Sequence, residues 1–258
     1  MKLNWCCLVA ACLVLVCPPI AEAEDGEAGH GWQHSGYVYL WGAGVSGKTN
    51  SGSGADVSFR DLLDNLEFGA MGAYRARKGK WSVLADVIYL DVSNNTKLEL
   101  GGDLVKVPAE VDIDLTSWVV HAGGAYNFYD NSGGTQAGLT FGLRYLDMST
   151  DILVAFETRI PELDPRIAIN ASASVLDIFA GLHGTVALGE RWYIPWAANL
   201  GTGDSDFSWA ALAGVGYRAS PRWNVLLTYR HQAWEFDDTV IIDDLEFSGP
   251  MLGAAFHF

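Results

Sequence analysis

Cysteine is confined to the first seventeen residues: Cys6, Cys7, Cys12 and Cys17 are the whole complement. A chain that loses that segment has no disulfide, no thiolate metal site and no cysteine nucleophile. Long apolar runs are equally scarce. After Val16 none reaches the ~18 residues of a membrane-spanning helix, which excludes a helical bundle. Positive charge is in short supply, with 16 Lys and Arg against 31 Asp and Glu and a net charge of -15. Phosphate backbones are repelled by such a balance, so nucleic acid is not an expected partner. HExxH and GxSxG patterns are absent as well. What the chain does have is 50% hydrophobic residues, too many for a disordered protein, and 29 glycines.

Residues 1–23 read as an export signal. Lys2 precedes the apolar stretch Leu3–Val16, Pro18 and Pro19 end it, and Ala21-Glu22-Ala23 supplies small residues for cleavage after Ala23. Val9-Ala10-Ala11-Cys12 resembles a lipoprotein box, behind a very short apolar stretch. The expected organisation is a signal peptide at 1–23, a periplasmic linker at 24–34 and one domain at 35–258.

The remainder alternates with period two, the signature of strands with unlike faces. In 135–145, Ala137, Leu139, Phe141, Leu143 and Tyr145 fall on one face, and Gln136, Gly138, Thr140, Gly142 and Arg144 on the other. Similar alternation gives ten strands, near 36–46, 66–78, 81–93, 111–128, 135–149, 172–188, 192–201, 206–218, 223–235 and 244–258. Eight or twelve are the alternatives. Short turns at 78–80, 129–134, 189–191 and 219–222 alternate with mostly longer connections at 47–65, 94–110, 150–171 and 236–243. That pattern predicts an all-β, closed antiparallel transmembrane β-barrel of the Gram-negative outer membrane, with both termini on the short-turn, periplasmic side.

A soluble barrel of the lipocalin kind is the rival, with apolar residues inside. Here the second face is Gly, Ser, Thr, Gln, Asn and Arg, which suits lipid outside and a narrow polar lumen. Asp86, Gln136, Arg144 and Arg230 are the candidate lumen residues, whose pairing would plug it. Trp81, Trp192 and Trp223 each follow a basic residue at a short turn. They form an expected interfacial girdle, because indole prefers the headgroup level.

The chain closes on Leu252, Ala254, Phe256 and Phe258 at alternating positions. This resembles the terminal strand of bacterial outer-membrane proteins. The resemblance implies that the barrel-assembly machinery reads Phe256 and Phe258 as its signal. The stretch from Asp56 to Asp91, DVSFRDLLDNLEFGAMGAYRARKGKWSVLADVIYLD, resembles a family of uncharacterised outer-membrane β-barrel proteins. That resemblance implies a fold and a location, and no reaction. Within it, Ser58 and Asp61 suit a helix cap, and Phe59, Leu62, Leu63 and Leu66 recur at helical spacing. A short amphipathic helix is therefore expected in the first long loop.

Gly42-Ala43-Gly44-Val45-Ser46-Gly47-Lys48-Thr49 matches the phosphate-binding loop in letters. The motif works only when a helix follows, and Asn50–Gly54 is loop-like, so no nucleotide is expected. His231, near Trp234, Glu235, Asp237 and Asp238, is the best acid–base cluster. Acidic residues gather near one mouth, among them Glu110, Asp112, Asp114, Glu157, Asp204, Asp206 and Asp243. They suit a solvated rim, a share in the divalent cations of lipopolysaccharide, or a bias toward cations in a pore. Asn94-Asn95-Thr96 and Asn170-Ala171-Ser172 match glycosylation sequons that carry little meaning in such a protein. The reading is a structural or surface-interaction barrel in contact with outer-membrane lipids and lipopolysaccharide, without catalysis, cofactor or metal. A narrow pore for ions or small solutes is the alternative, and a rim hydrolase or acyltransferase using His and Asp a second one.

Overall fold

A computed structural model of the protein describes residues 31–49, 54–57, 60, 64–102, 105–156, 166–236 and 242–258. The expected signal peptide and most of the linker lie outside these. The strand segments are β1 (Gln33–Trp41), β2 (Gly44–Thr49), β3 (Gly54–Val57), β4 (Leu66–Lys78), β5 (Trp81–Gly102), β6 (Val105–Asp130), β7 (Gln136–Phe156), β8 (Arg166–Ala187), β9 (Trp192–Gly203), β10 (Phe207–Arg218), β11 (Trp223–Glu235) and β12 (Ile242–His257).

These make ten staves, because β1 and β2 are one strand interrupted by a proline. Trp41 pairs with Met251 and Gly44 with Ser248, in unbroken register. Between them Gly42 N donates to Pro250 O at 2.8 Å. Pro250 has no N–H to return that bond, so the ladder lapses for two residues. β3 folds back on β2 as a small hairpin. From β4 onward each stave pairs antiparallel with the next, and β12 pairs with β1 to close the barrel. At the seam His34 N donates to Phe258 O at 3.1 Å and Phe258 N to His34 O at 3.0 Å.

The staves are steeply staggered. A line drawn across the ladders from Ser35 passes Arg75, Leu84, Gly123, Gly142, Phe179, Gly201, Ser208, Trp234 and Leu245, and meets the first stave again at Gly47. The offset, about twelve residues, is the shear that tilts strands in a closed barrel.

Each stave has one face turned out. Val38 and Leu40 are 73% and 72% exposed, whereas Tyr39 and Trp41 are 7% and 5%. Leu139, Phe141, Leu143 and Tyr145 are likewise exposed around buried Arg144, and Val225, Leu227 and Tyr229 around buried Thr228 and Arg230. A barrel that turns Leu, Phe and Val outward and Arg inward is built for hydrocarbon on its outside. Closure completes the argument, since no unpaired sheet edge survives in lipid.

Gly79, Gly134 and Gly189 sit in three of the short turns with φ of +59°, +82° and +127°. At the other end the hairpins run further than expected. The stretches 94–110 and 150–171, expected as connections, are largely strand: the β5–β6 ladder continues to Gly102 and Val105, and the β7–β8 ladder to Ala155 and Arg166. Alternation in fact runs on through Val105, Val107, Ala109 and Val111 and through Ile167, Ile169 and Ala171, but Gly101, Gly102, Pro108, Pro161 and Pro165 read as loop residues and hide it. β1 starts at Gln33, inside the expected linker. The helix expected near Ser58–Leu66 falls largely outside the described residues, and Leu66 itself opens β4.

Candidate functional site in the barrel lumen

The lumen is layered. Toward the long-hairpin end it holds an apolar plug: Trp41, Ile88, Val119, Leu146, Val175, Trp234, Leu245 and Phe247 pack into one cluster, with Val45, Met71, Leu90 and Met148 against it. This corrects the expectation of a wholly polar interior. The inward faces of β1, β5 and the start of β12 are themselves apolar, and alternation does not say which greasy face meets lipid. The Trp234 ring meets the Phe247 ring edge-on at 5.7 Å.

Below the plug lies a charged belt. One rung of the ladder carries Asp86, His121, Arg144 and Asp177 on four successive staves, β5 to β8. Side chains on a shared rung point to the same face, so the four line one arc of the inner wall. From β11, Arg230 Nη1 donates to Asp86 Oδ2 at 2.9 Å and Arg230 Nη2 to Gln232 Oε1 at 3.1 Å. Tyr39 Oη donates to Asp86 Oδ1. His121 Nδ1 lies 3.4 Å from Asp86 Oδ2, and His121 Nε2 takes the Arg144 Nε–H at 3.2 Å. Arg144 also donates to Asn199. Both guanidinium groups stack on aromatic faces, Arg230 over Trp41 at 4.8 Å and Arg144 over Phe179 at 5.5 Å. Asp177 accepts from Ser205 N at 3.1 Å and Ser205 Oγ at 2.7 Å, tying the β9–β10 turn to the wall.

A second polar layer sits near the short turns. Gln136 Oε1 accepts from Arg77 Nη1 at 3.1 Å and Asn127 Nδ2 at 2.8 Å, and Arg77 pairs with Asp130 at 2.5 Å. His183 Nε2 donates to Asn127 Oδ1 at 3.0 Å. Of the four candidate lumen residues, the structure thus joins Asp86 to Arg230, sets Arg144 beside them through His121, and puts Gln136 in a separate layer. Tyr39, His121, Asp177, Asn199 and Gln232 were missed. Their common signal is a polar residue in the inward phase of an otherwise apolar strand. Between the two layers is a chamber of about 360 Å³, walled by Tyr37, Leu84, Phe179, Leu212, Thr228 and Met251 among others.

The remaining candidates lie apart. Trp81, Trp192 and Trp223 are exposed at the short-turn end. Each faces an aromatic directly across its ladder: Tyr126 at 4.9 Å, Tyr217 at 4.8 Å and Phe256 at 4.9 Å. Phe258 stacks on His34 at 5.6 Å and on Phe256 at 5.8 Å. His231 and Trp234 are on opposite faces of β11. His231 turns outward, with its ring 4.1 Å from Trp209 and Nδ1 3.3 Å from Glu246, while Trp234 is in the plug. Asp237 and Asp238 lie outside the described residues. Gly44–Thr49 of the phosphate-loop pattern is a strand paired to β12, with no cradle. Among the described residues, no group of three His, Cys, Asp or Glu could hold a metal ion.

No protein-family model matches the sequence, and no curated protein matches it. Solved structures do resemble it in shape. The translocator domain of autotransporter NalP from Neisseria meningitidis is 16% identical, with 91% of this chain and 90% of that chain covered and a TM-score of 0.47. The outer membrane protease OmpT from Escherichia coli is 11% identical, with 88% and 97% covered and a TM-score of 0.46. Ail, the attachment invasion locus protein of Yersinia pestis, is 12% identical, with 89% and 99% covered and a TM-score of 0.36. No activity carries over from any of them.

Proposed function

We infer that the protein is an integral β-barrel of the bacterial outer membrane with a structural or surface-interaction role, that its lumen passes no ions, and that it performs no catalysis. The observation that carries this reading is the filled interior. Trp234, Leu146, Gln232, Arg144 and Asp177 are all essentially solvent-free, so plug and charged belt occupy the path a solute would take. A ten-stranded barrel has room inside for little more than its own side chains. The exposed apolar belt supplies contact with lipid acyl chains. The Trp-aromatic pairs suit the headgroup level. The extended β5–β6 and β7–β8 hairpins, with acidic Glu110, Asp112, Asp114 and Asp151, present a negative surface that can share divalent cations with lipopolysaccharide.

The purified barrel in a planar lipid bilayer tests this directly. Silence at physiological voltages agrees with a closed lumen. Regular ion-selective steps overturn it in favour of the narrow pore. Altered lipid A, or cleaved surface peptides in overexpressing cells, would instead support an enzyme acting at the rim.

A further inference from the structure

We propose that the chamber between the two polar layers is a binding site for a small organic carboxylate with a compact apolar body. The proposal goes beyond the structural role inferred above and is compatible with it, because the plug stays shut above the chamber. At about 360 Å³, the space falls in the range of small-molecule sites. Most of its wall is carbon from Leu84, Phe179, Leu212 and Met251, interrupted by a few polar atoms. That mixture selects an apolar ligand with one or two polar handles.

The handles are specific. Arg75 lines the chamber and donates from Nε and Nη2 only to the Ser82 hydroxyl, at 3.3 and 3.2 Å. Among the described residues it meets no carboxylate at ion-pair distance, in contrast to Arg77 and Arg230. A half-buried guanidinium whose partner is one hydroxyl is a fork with room for a carboxylate. Thr228, 3% exposed, lines the same space, and its Oγ1 has no hydrogen-bond partner. His183 Nδ1 is also buried without a partner; with its Nε2–H given to Asn127 it can only accept, so it suits a hydroxyl on the ligand body and not the carboxylate. Buried polar atoms left unpaired are costly, and each marks a place where a ligand atom fits. An anion is favoured at Arg75, whereas Asp86 in the roof is already satisfied by Arg230 and Tyr39. The Trp234 layer closes the chamber toward the long-hairpin end.

Titration calorimetry of the full barrel in detergent with benzoate tests the site. The expected result is saturable binding of one benzoate, at least tenfold weaker in Arg75→Gln. Thr228→Val, close in shape to the natural side chain, weakens it severalfold, and Leu212→Trp, which fills the chamber, abolishes it. Arg191→Gln, an arginine at the same end but bonded to Tyr217, leaves it unchanged. Heat-modified gel mobility confirms that each variant is folded. Absence of saturable benzoate binding overturns the proposal. So does benzoate binding unchanged in Arg75→Gln, binding that survives both Thr228→Val and Leu212→Trp, or toluene binding as tightly as benzoate. None of these outcomes alters the conductance test of the closed lumen, so the two readings fail separately.

Discussion

Arg230 reaches across the lumen to Asp86, 144 positions earlier in the chain, with Nη1 2.9 Å from Oδ2. The pair is shielded on one side by the apolar plug and flanked by His121, Tyr39 and Gln232. It therefore ties β5 to β11 at the roof of the chamber, where both side chains are largely withdrawn from solvent.

Breaking that pair from one side leaves a charge without its counter-ion. Asp86→Asn is expected to lower unfolding stability in lipid vesicles by about 3–5 kcal/mol. Asp86→Leu with Arg230→Met, which removes both charges and restores apolar packing, should recover most of the loss. Denaturant titration followed by tryptophan fluorescence measures both.

Trp234 is the largest fully buried side chain of the plug. Truncation to Ala empties the space beside Phe247, with an expected cost of about 3–5 kcal/mol. The same variant should turn a silent barrel into one that shows brief, irregular current steps in a planar bilayer.

The ten staves were legible in the sequence because alternation states plainly which residues share a face. Leu139, Phe141, Leu143 and Tyr145 needed nothing more. The plug was not legible. Tyr39 and Trp41 alternate with Val38 and Leu40, and both sets are apolar, so the pattern alone does not say which set looks inward. The charged belt was half visible: Asp86, Arg144 and Arg230 stand out among apolar neighbours. Their junction depends on the register that sets Asp86, His121, Arg144 and Asp177 on one rung, and register is a property of paired strands. The hairpin extensions at 94–110 and 150–171 are masked by Gly101, Gly102, Pro108, Pro161 and Pro165, which read as loop residues although Val105–Val111 and Ile167–Ala171 alternate beside them.

Gly216 stands opposite Tyr193 on the β9–β10 ladder, and a Cβ there would collide with the Tyr193 ring, which packs under Arg218 at 5.0 Å. Gly216→Val displaces that ring, with an expected loss of about 1–3 kcal/mol from overpacking. Gly36→Val, where a Cβ meets nothing, should be close to neutral in the same denaturant titration.

The three cross-strand pairs at the short-turn end should act independently. Trp81→Ala, Trp192→Ala and Trp223→Ala each lose an aromatic partnership, worth about 0.5–1.5 kcal/mol beyond the buried area. Their partners Tyr126, Tyr217 and Phe256 lie on separate ladders, so the losses in a triple variant should add.

Residues 24–258 contain no cysteine, which allows single spin labels to be placed along one stave. Labels at Val38 and Leu40, and at Leu139, Leu143 and Leu227, should be reached by oxygen dissolved in the bilayer and shielded from a water-soluble nickel chelate. Labels at Val119 and Leu146, inside the plug, should be shielded from both. An account in which these apolar faces meet lipid predicts that contrast in every stave. Ready access of the chelate to Leu40, Leu143 and Leu227 would contradict it.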